Sequence, residues 1–146
     1  MIEIVKSDNF NEVLPLISQY QKFYKNDDIS DNKNRNFFSQ FIQSHENGVL
    51  HLYRHENNVV GFTTLYKGFS SSRAEGVIIL NDLYVKSEYR KRGFGRALVN
   101  HAIDKAKYLG YKRLQWLTAQ DNAIAKNLYN SLDTSKSAWC FYVKEI

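Results

Sequence analysis

Seven consecutive residues, Arg90-Lys91-Arg92-Gly93-Phe94-Gly95-Arg96, place four basic side chains and two glycines between an apolar run and an amphipathic one. The first turn of a helix exposes backbone N–H groups that have no partner inside the helix, and it carries a partial positive charge. Glycine at that turn removes Cβ and lets an anion approach the backbone. Basic side chains around it add charge-assisted hydrogen bonds to phosphate oxygens. The combination is a cradle for a pyrophosphate. It is not a P-loop, because Gly95 is followed by Arg96-Ala97 rather than Lys-Ser/Thr. Nor is it a dinucleotide fingerprint, whose third glycine would fall where this chain has Leu98.

A second chemical feature precedes the turn. Asp82 sits inside the apolar run "GVIILNDLYV", where a charge is costly unless it is paired or useful. It is the first candidate for a general base, with a structural hydrogen bond as the other reading. Glu75 and Glu88 fall at strand or turn ends and are weaker candidates. The single cysteine, Cys140 in "WCFYV", reads as a small buried hydrophobe with no histidine partner nearby. Covalent catalysis through it is therefore not favoured. The four histidines (45, 51, 55 and 101) lack ligand spacing and read as surface residues, so no metal site is expected.

These residues need elements to hold them. "IEIV" reads as a short strand. Asp8 is a plausible cap for a helix through Tyr24, with Leu14, Ile17, Tyr20, Phe23 and Tyr24 at helical spacing. Pro15 should kink that helix or mark its firmer start. A second helix carries Phe37, Phe38, Phe41 and Ile42 on one face. Two strands around Asn57-Asn58 form a hairpin, and "GVIILNDLYV" is a third, central strand. A helix runs from Gly93 to Leu109, with Gly110 as its C-cap. "RLQWLT" reads as a buried strand, "NAIAKNLYNSL" as a short helix capped by Asp121 or Asn122, and "AWCFYV" as a closing strand. The order β-α-α-β-β-β-α-β-α-β describes a mixed sheet with helices on both faces.

With 146 residues and 43% apolar content, residues 1–146 are expected to form one domain with its own core. No apolar run reaches the roughly 18 residues that a membrane span needs. "MIEIVKSDNF" lacks the parts of a signal peptide, and one cysteine cannot form an internal disulfide, so a reducing, cytoplasmic setting is expected. The net charge of +5 is uneven, because residues 86–113 hold nine Lys/Arg against two acids, +7, leaving −2 for the rest. Such a basic stretch suits an anionic ligand, a nucleic acid or a membrane surface, and it is also an ordinary device for solubility.

The pattern Arg-x-x-Gly-x-Gly between "LNDLYV" and an amphipathic helix resembles motif A of the GCN5-related N-acetyltransferases (GNAT). Downstream, "TAQDNAIAKNLYNSL" is similar to that family's next motif. The resemblance covers most of the chain. It implies an α/β fold with a mostly antiparallel mixed sheet, helices on both faces, and splayed fourth and fifth strands. It further implies acetyl-CoA as co-substrate, with no metal. Its pyrophosphate would lie on Arg90, Lys91, Arg92, Gly93, Phe94, Gly95 and Arg96, its pantetheine arm along Leu83, Tyr84 and Val85, and Asn122 would also face it. Tyr129 would protonate the departing thiolate. Where the family often has Gly-Phe after this helix, the chain has Leu132-Asp133-Thr134-Ser135, so its last hairpin is expected to be altered or shortened.

Acetyl transfer to an amine needs a base, because an alkyl ammonium has a pKa of about 10.4. It also needs a donor for the oxyanion, such as the N–H of Leu83 or a neighbour, and an acid for the thiolate, whose pKa is roughly 8.5 on the cysteine scale. Asp82 and Tyr129 fill the first and last roles. The expected reaction is direct transfer to a primary amine (a polyamine, an amino acid or a protein amine) in a ternary complex. Asp27, Asp28 and Asp31 could draw in a cationic acceptor, though a solvated capping loop is the simpler reading; Phe69 and its serines could shape the acceptor pocket. The alternatives are a nucleic-acid-binding domain using the basic stretch, which leaves the glycines unexplained, and a non-catalytic acyl-CoA sensor. No nucleic acid or membrane partner is expected. Many members of the family dimerise, and the residues leave a homodimer open.

Overall fold

The computed structural model describes residues 1–146. In chain order the elements are β1 (Ile2–Ile4), α1 (Phe10–Phe23), α2 (Asp31–Phe38), α3 (Gln40–Gln43), β2 (Gly48–His55), β3 (Asn58–Ser70) and β4 (Glu75–Val85). A 3-10 turn (Ser87–Tyr89) leads to α4 (Phe94–Tyr108), β5 (Leu114–Gln115) and α5 (Ala123–Asn130). The sheet order is β1-β2-β3-β4-β5; the first four strands pair antiparallel and β5 joins β4 in parallel. Helices cover both faces, giving the mixed α/β fold expected from the sequence.

Strand alternation divides the core. Leu50, Leu52 and Phe62 meet Phe10, Val13, Ile17, Phe38 and Phe41 from the first three helices. Val49, Leu65, Ile78 and Leu80 meet Val99, Ala102 and Ala106 of α4 on the opposite face. Helix α1 starts at Phe10, so Asp8 is not its cap. Asn9 occupies that position but spends its side chain on β1, accepting from the Lys6 N–H at 2.8 Å and donating to the Ile4 carbonyl at 3.2 Å. Pro15 lies inside α1 on its solvent face, and the helix neither breaks nor starts there. The Arg54 guanidinium ties β2 to β1 and α1 through Glu3 at 2.7 Å and Glu12 at 2.8 Å.

The expected second helix is interrupted at Ser39 into α2 and α3; Phe38 and Phe41 are buried while Phe37 is half exposed. The β2–β3 turn is Glu56-Asn57, one residue earlier than expected. Both have positive φ, +47° and +66°, as a two-residue type I′ turn requires. Gly110, at φ +80°, closes α4 as expected.

Four other expectations are corrected. "RLQWLT" contributes only two paired residues to β5. "AWCFYV" is not a strand: residues 134–146 form no regular structure, and Trp139, Phe141 and Tyr142 are 92%, 74% and 89% exposed. The segment pairs with no strand of the chain, and strand-forming side chains alone do not make one. Cys140 is therefore exposed rather than buried. Of the histidines, His51 is not a surface residue. It is buried and meets the half-buried His101 of α4 with ring centroids 4.5 Å apart.

Candidate active site

The site begins with an irregularity in β4. Thr64 of β3 pairs with Asp82 while Leu65 pairs with Leu80, so Asn81 is an extra residue, a β-bulge. Without it Asp82 would share Leu80's face under α4. With it, Asp82 turns to the α1 side, next to Thr64. Beyond the bulge β4 also loses its other neighbour, since its pairing with β5 is confined to Ile78–Leu114 and Ile79–Gln115. The Lys86 N–H bonds to the Val60 carbonyl at 2.9 Å, so alternation directs the peptide groups of Leu83 and Val85 away from β3 and into the gap. There the Val85 carbonyl accepts from Arg90 Nε at 3.0 Å.

The basic turn stands at one end of this gap. Gly93 sits at the N-cap of α4 with φ +85°, a left-handed conformation that glycine adopts without strain. Backbone N–H groups of residues 91–96 find no acceptor within the chain. Gly95 serves a different end. A Cβ built there would meet nothing closer than Leu128 at 3.5 Å, so the protein itself tolerates a side chain and the missing one leaves space beside the helix N-terminus. Arg96 donates to Ser131 Oγ at 2.7 Å, joining the turn to the end of α5. The Arg90 guanidinium stacks between Phe23 and Tyr84, 5.4 Å and 5.7 Å from the ring centroids.

One cavity of about 430 Å³ connects the parts. Leu83, Tyr84, Val85, Arg90, Lys91, Gly93, Phe94, Gly95, Arg96, Asn122 and Tyr129 all line it. Arg92 does not; its guanidinium lies over the Tyr89 ring at 5.3 Å. Asn122 uses its side chain as the α5 cap, Oδ1 accepting from the Ala125 N–H at 3.2 Å. Tyr129 packs on Trp116, with centroids 5.2 Å apart. Burial, reinforced by nearby Tyr24, pushes its hydroxyl up to about 12. Tyr84 donates to Gln19 Oε1 at 3.3 Å.

Asp82 lies behind the wall rather than on it. Burial raises its pKa, against the opposing effects of the Thr64 and Tyr20 hydroxyls and the Asn81 amide. Asn81 donates to Oδ1 at 3.1 Å, while Oδ2 makes no hydrogen bond of good geometry. Its neighbours Tyr20 and Asn81 do face the cavity. Tyr20, Phe23 and Tyr24 form an aromatic wall that the sequence did not distinguish from core; the signal was three aromatics in the last turns of one helix. The acidic loop has other work. Asp28 pairs with Lys33 and Asp31 accepts from Ser18, and neither they nor Asp27 reach the cavity. Phe69 is 90% exposed at the far end of the β3–β4 hairpin and does not line the cavity. No histidine lines it either, and no group of three His, Cys, Asp or Glu could hold a metal.

The sheet opens between two parallel strands, and a helix start with unpaired N–H groups and basic side chains stands at the opening. Residues 13–133 match the Acetyltransferase (GNAT) family, and the chain belongs to it. Over 129 residues it is 33% identical to the uncharacterized N-acetyltransferase YhfO of Bacillus subtilis, spanning 88% of this chain and 85% of that protein. It is 31% identical over 85 residues to the D-amino-acid N-acetyltransferase HPA3 of Saccharomyces cerevisiae, 58% of this chain and 53% of that one. A crystal structure of a probable acetyltransferase superposes with a TM-score of 0.88 at 26% identity, covering 100% of this chain and 97% of the other. The chain is accordingly an acetyltransferase of the N-acetyltransferase kind.

Proposed function

We propose that the enzyme transfers the acetyl group of acetyl-CoA directly to the primary amine of a small molecule held in the same cavity. The observation that carries this reading is the continuity of that cavity from the unpaired N–H groups of the α4 turn, past the Leu83 peptide and the Val85 N–H, which face away from β3, to Tyr129. Acetyl-CoA is the family's donor, and the residues fit it. The turn offers N–H groups and cationic side chains to a pyrophosphate, and the outer edge of β4 offers the Leu83 carbonyl and the Val85 N–H to an amide-bearing arm.

The chain's own groups divide the remaining work. Tyr129 keeps its proton well above neutral pH and delivers it to the leaving thiolate. The Leu83 N–H, turned into the gap by the bulge, steadies the oxyanion. Asp82, raised toward neutrality by burial, takes up the amine's proton through the groups that separate it from the cavity. The aromatic wall of Tyr20, Phe23 and Tyr24 borders the acceptor. The yeast relative's name makes amino acids the first acceptors to test.

The test is thiol release from acetyl-CoA against a panel of D- and L-amino acids, polyamines, aminoglycosides and a basic peptide. Release that depends on a small amine is expected. If CoA binds but none of these amines stimulates release, the small-amine reading gives way to an unusual acceptor or a sensor; if only the peptide does, the acceptor class is a protein amine.

A further inference from the structure

We propose that the Tyr20 hydroxyl is the proton relay between the acceptor amine and Asp82; the proposal rests on the direct-transfer reading above. Asp82 is 5% exposed, and its Oδ2 has no hydrogen bond of good geometry. A buried carboxylate oxygen left in that state is costly unless it has a use. An amine in the cavity cannot touch it, because Asp82 lies behind the wall. One of the groups beside the carboxylate must therefore carry the proton across.

Four side chains face it: Thr64 and Tyr66 of β3, Asn81 of β4 and Tyr20 of α1. Neither Thr64 nor Tyr66 lines the cavity. Asn81 does, but it holds Oδ1 at 3.1 Å through an amide N–H, and a carboxamide does not release one proton as it takes another. Tyr20 alone combines a place on the cavity wall with an O–H toward the carboxylate. Its ring stands edge-on to Phe62 and tilted steeply to Tyr84, with centroids 5.7 Å and 6.1 Å away. Those two residues pair on the rung beside Thr64 and Asp82. A hydroxyl has one proton to give and lone pairs to receive another. Burial and the neighbouring carboxylate hold that proton on the oxygen, so Tyr20 is not itself the base. Tyr24 and Tyr66 are the other titratable groups that face it. In the step, an N–H bond of the ammonium breaks as an O–H bond forms at Tyr20, while the original phenolic proton moves to Asp82 Oδ2. The amine keeps the electron pair and attacks the thioester. The carboxyl ends neutral and returns its proton to water by the same route after product leaves.

Tyr20→Phe removes only the hydroxyl. Its kcat/KM should fall about 10²-fold near neutral pH and recover as pH rises and the amine deprotonates unaided, with CoA affinity unchanged. Combining it with Asp82→Asn should cost no more than either change alone, since both interrupt one path. Wild-type rates in Tyr20→Phe, a loss equal at every pH, or losses that multiply would overturn the relay. All three leave the acetyltransferase reading intact, which thiol release by the wild type tests by itself. The contact is also read without turnover. By carbon-13 NMR the Asp82 carboxyl should titrate at higher pH in Tyr20→Phe than in the wild type, because the hydroxyl favours the charged form. An unchanged midpoint would show that the hydroxyl does not reach the carboxylate, and the relay would fall.

Discussion

Tyr129 and Asp82 are both displaced from their ordinary titration range by burial; for Asp82 the direction suits its assigned task, whereas for Tyr129 it keeps the proton in place at the cost of acid strength. A tyrosine pushed up to about 12 stays protonated wherever the enzyme works, so it is a proton donor and not a base. Tyr129→Phe should leave CoA affinity unchanged and lower kcat by about 10²-fold, in line with the loss of one general acid. Single-turnover kinetics beside a CoA titration checks it, and an unchanged kcat would remove the role. A carboxyl raised by burial accepts a proton closer to neutrality, which places the acid limb of kcat/KM above the usual carboxylate range. Asp82→Asn should lower the rate most near neutral pH and recover as pH rises and the free amine deprotonates unaided. A loss equal at every pH would instead identify Asp82 as a structural residue.

Elements differ in how far a local sequence can specify them. The α4 turn was legible because its requirements are local: Gly93 supplies a left-handed φ, and Gly95 leaves room beside the helix N-terminus. Gly95→Glu should therefore fold normally, its Cβ meeting Leu128 only at van der Waals distance, yet abolish CoA binding by putting a carboxylate in the cradle. Calorimetric titration with CoA beside a melting curve separates the two effects. Tight binding by the variant would move the cofactor site elsewhere. The bulge was not legible, because Ile78, Leu80, Asp82 and Tyr84 alternate without interruption; only the β3 pairing reveals Asn81 as the extra residue. The closing segment was misread for the converse reason. Trp139 to Val143 have the side chains of a strand, but a strand also needs a partner, which local sequence cannot supply. The end of α1 failed on a third count, since helical spacing does not distinguish Tyr20, Phe23 and Tyr24 facing a cavity from the same residues facing a core.

On the scale of the whole molecule, the basic stretch is two clusters rather than one face. Arg90, Lys91, Arg92 and Arg96 gather at the start of α4, and Lys105, Lys107, Lys112 and Arg113 at or just beyond its end, about 20 Å away along a 15-residue helix. The second cluster lies near buried His51 and half-buried His101, and burial of this pair, more than the cluster, makes stability depend on pH. Burial first, then the neighbouring His101, Lys105 and His45, lower His51 to about 3; burial and Lys105 lower His101 against the pull of Asp104. A folded pKa below the unfolded value of about 6.5 means that the unfolded chain alone gains a proton as pH falls between the two. The contribution is complete above about 6.5 and is lost toward pH 3; for His51 alone the loss by pH 5 is about 2 kcal/mol. Asp82 has the opposite sign, its raised folded pKa adding stability at acid pH that fades as pH rises through that value. Growing net positive charge acts on wild type and variant nearly alike, so their difference isolates the histidine. His51→Leu keeps the packing volume and removes an Nδ1 that has no partner. Its melting temperature should fall less than the wild type's between pH 7.5 and 5. Parallel curves would mean that His51 takes up its proton without unfolding the β2–α4 interface.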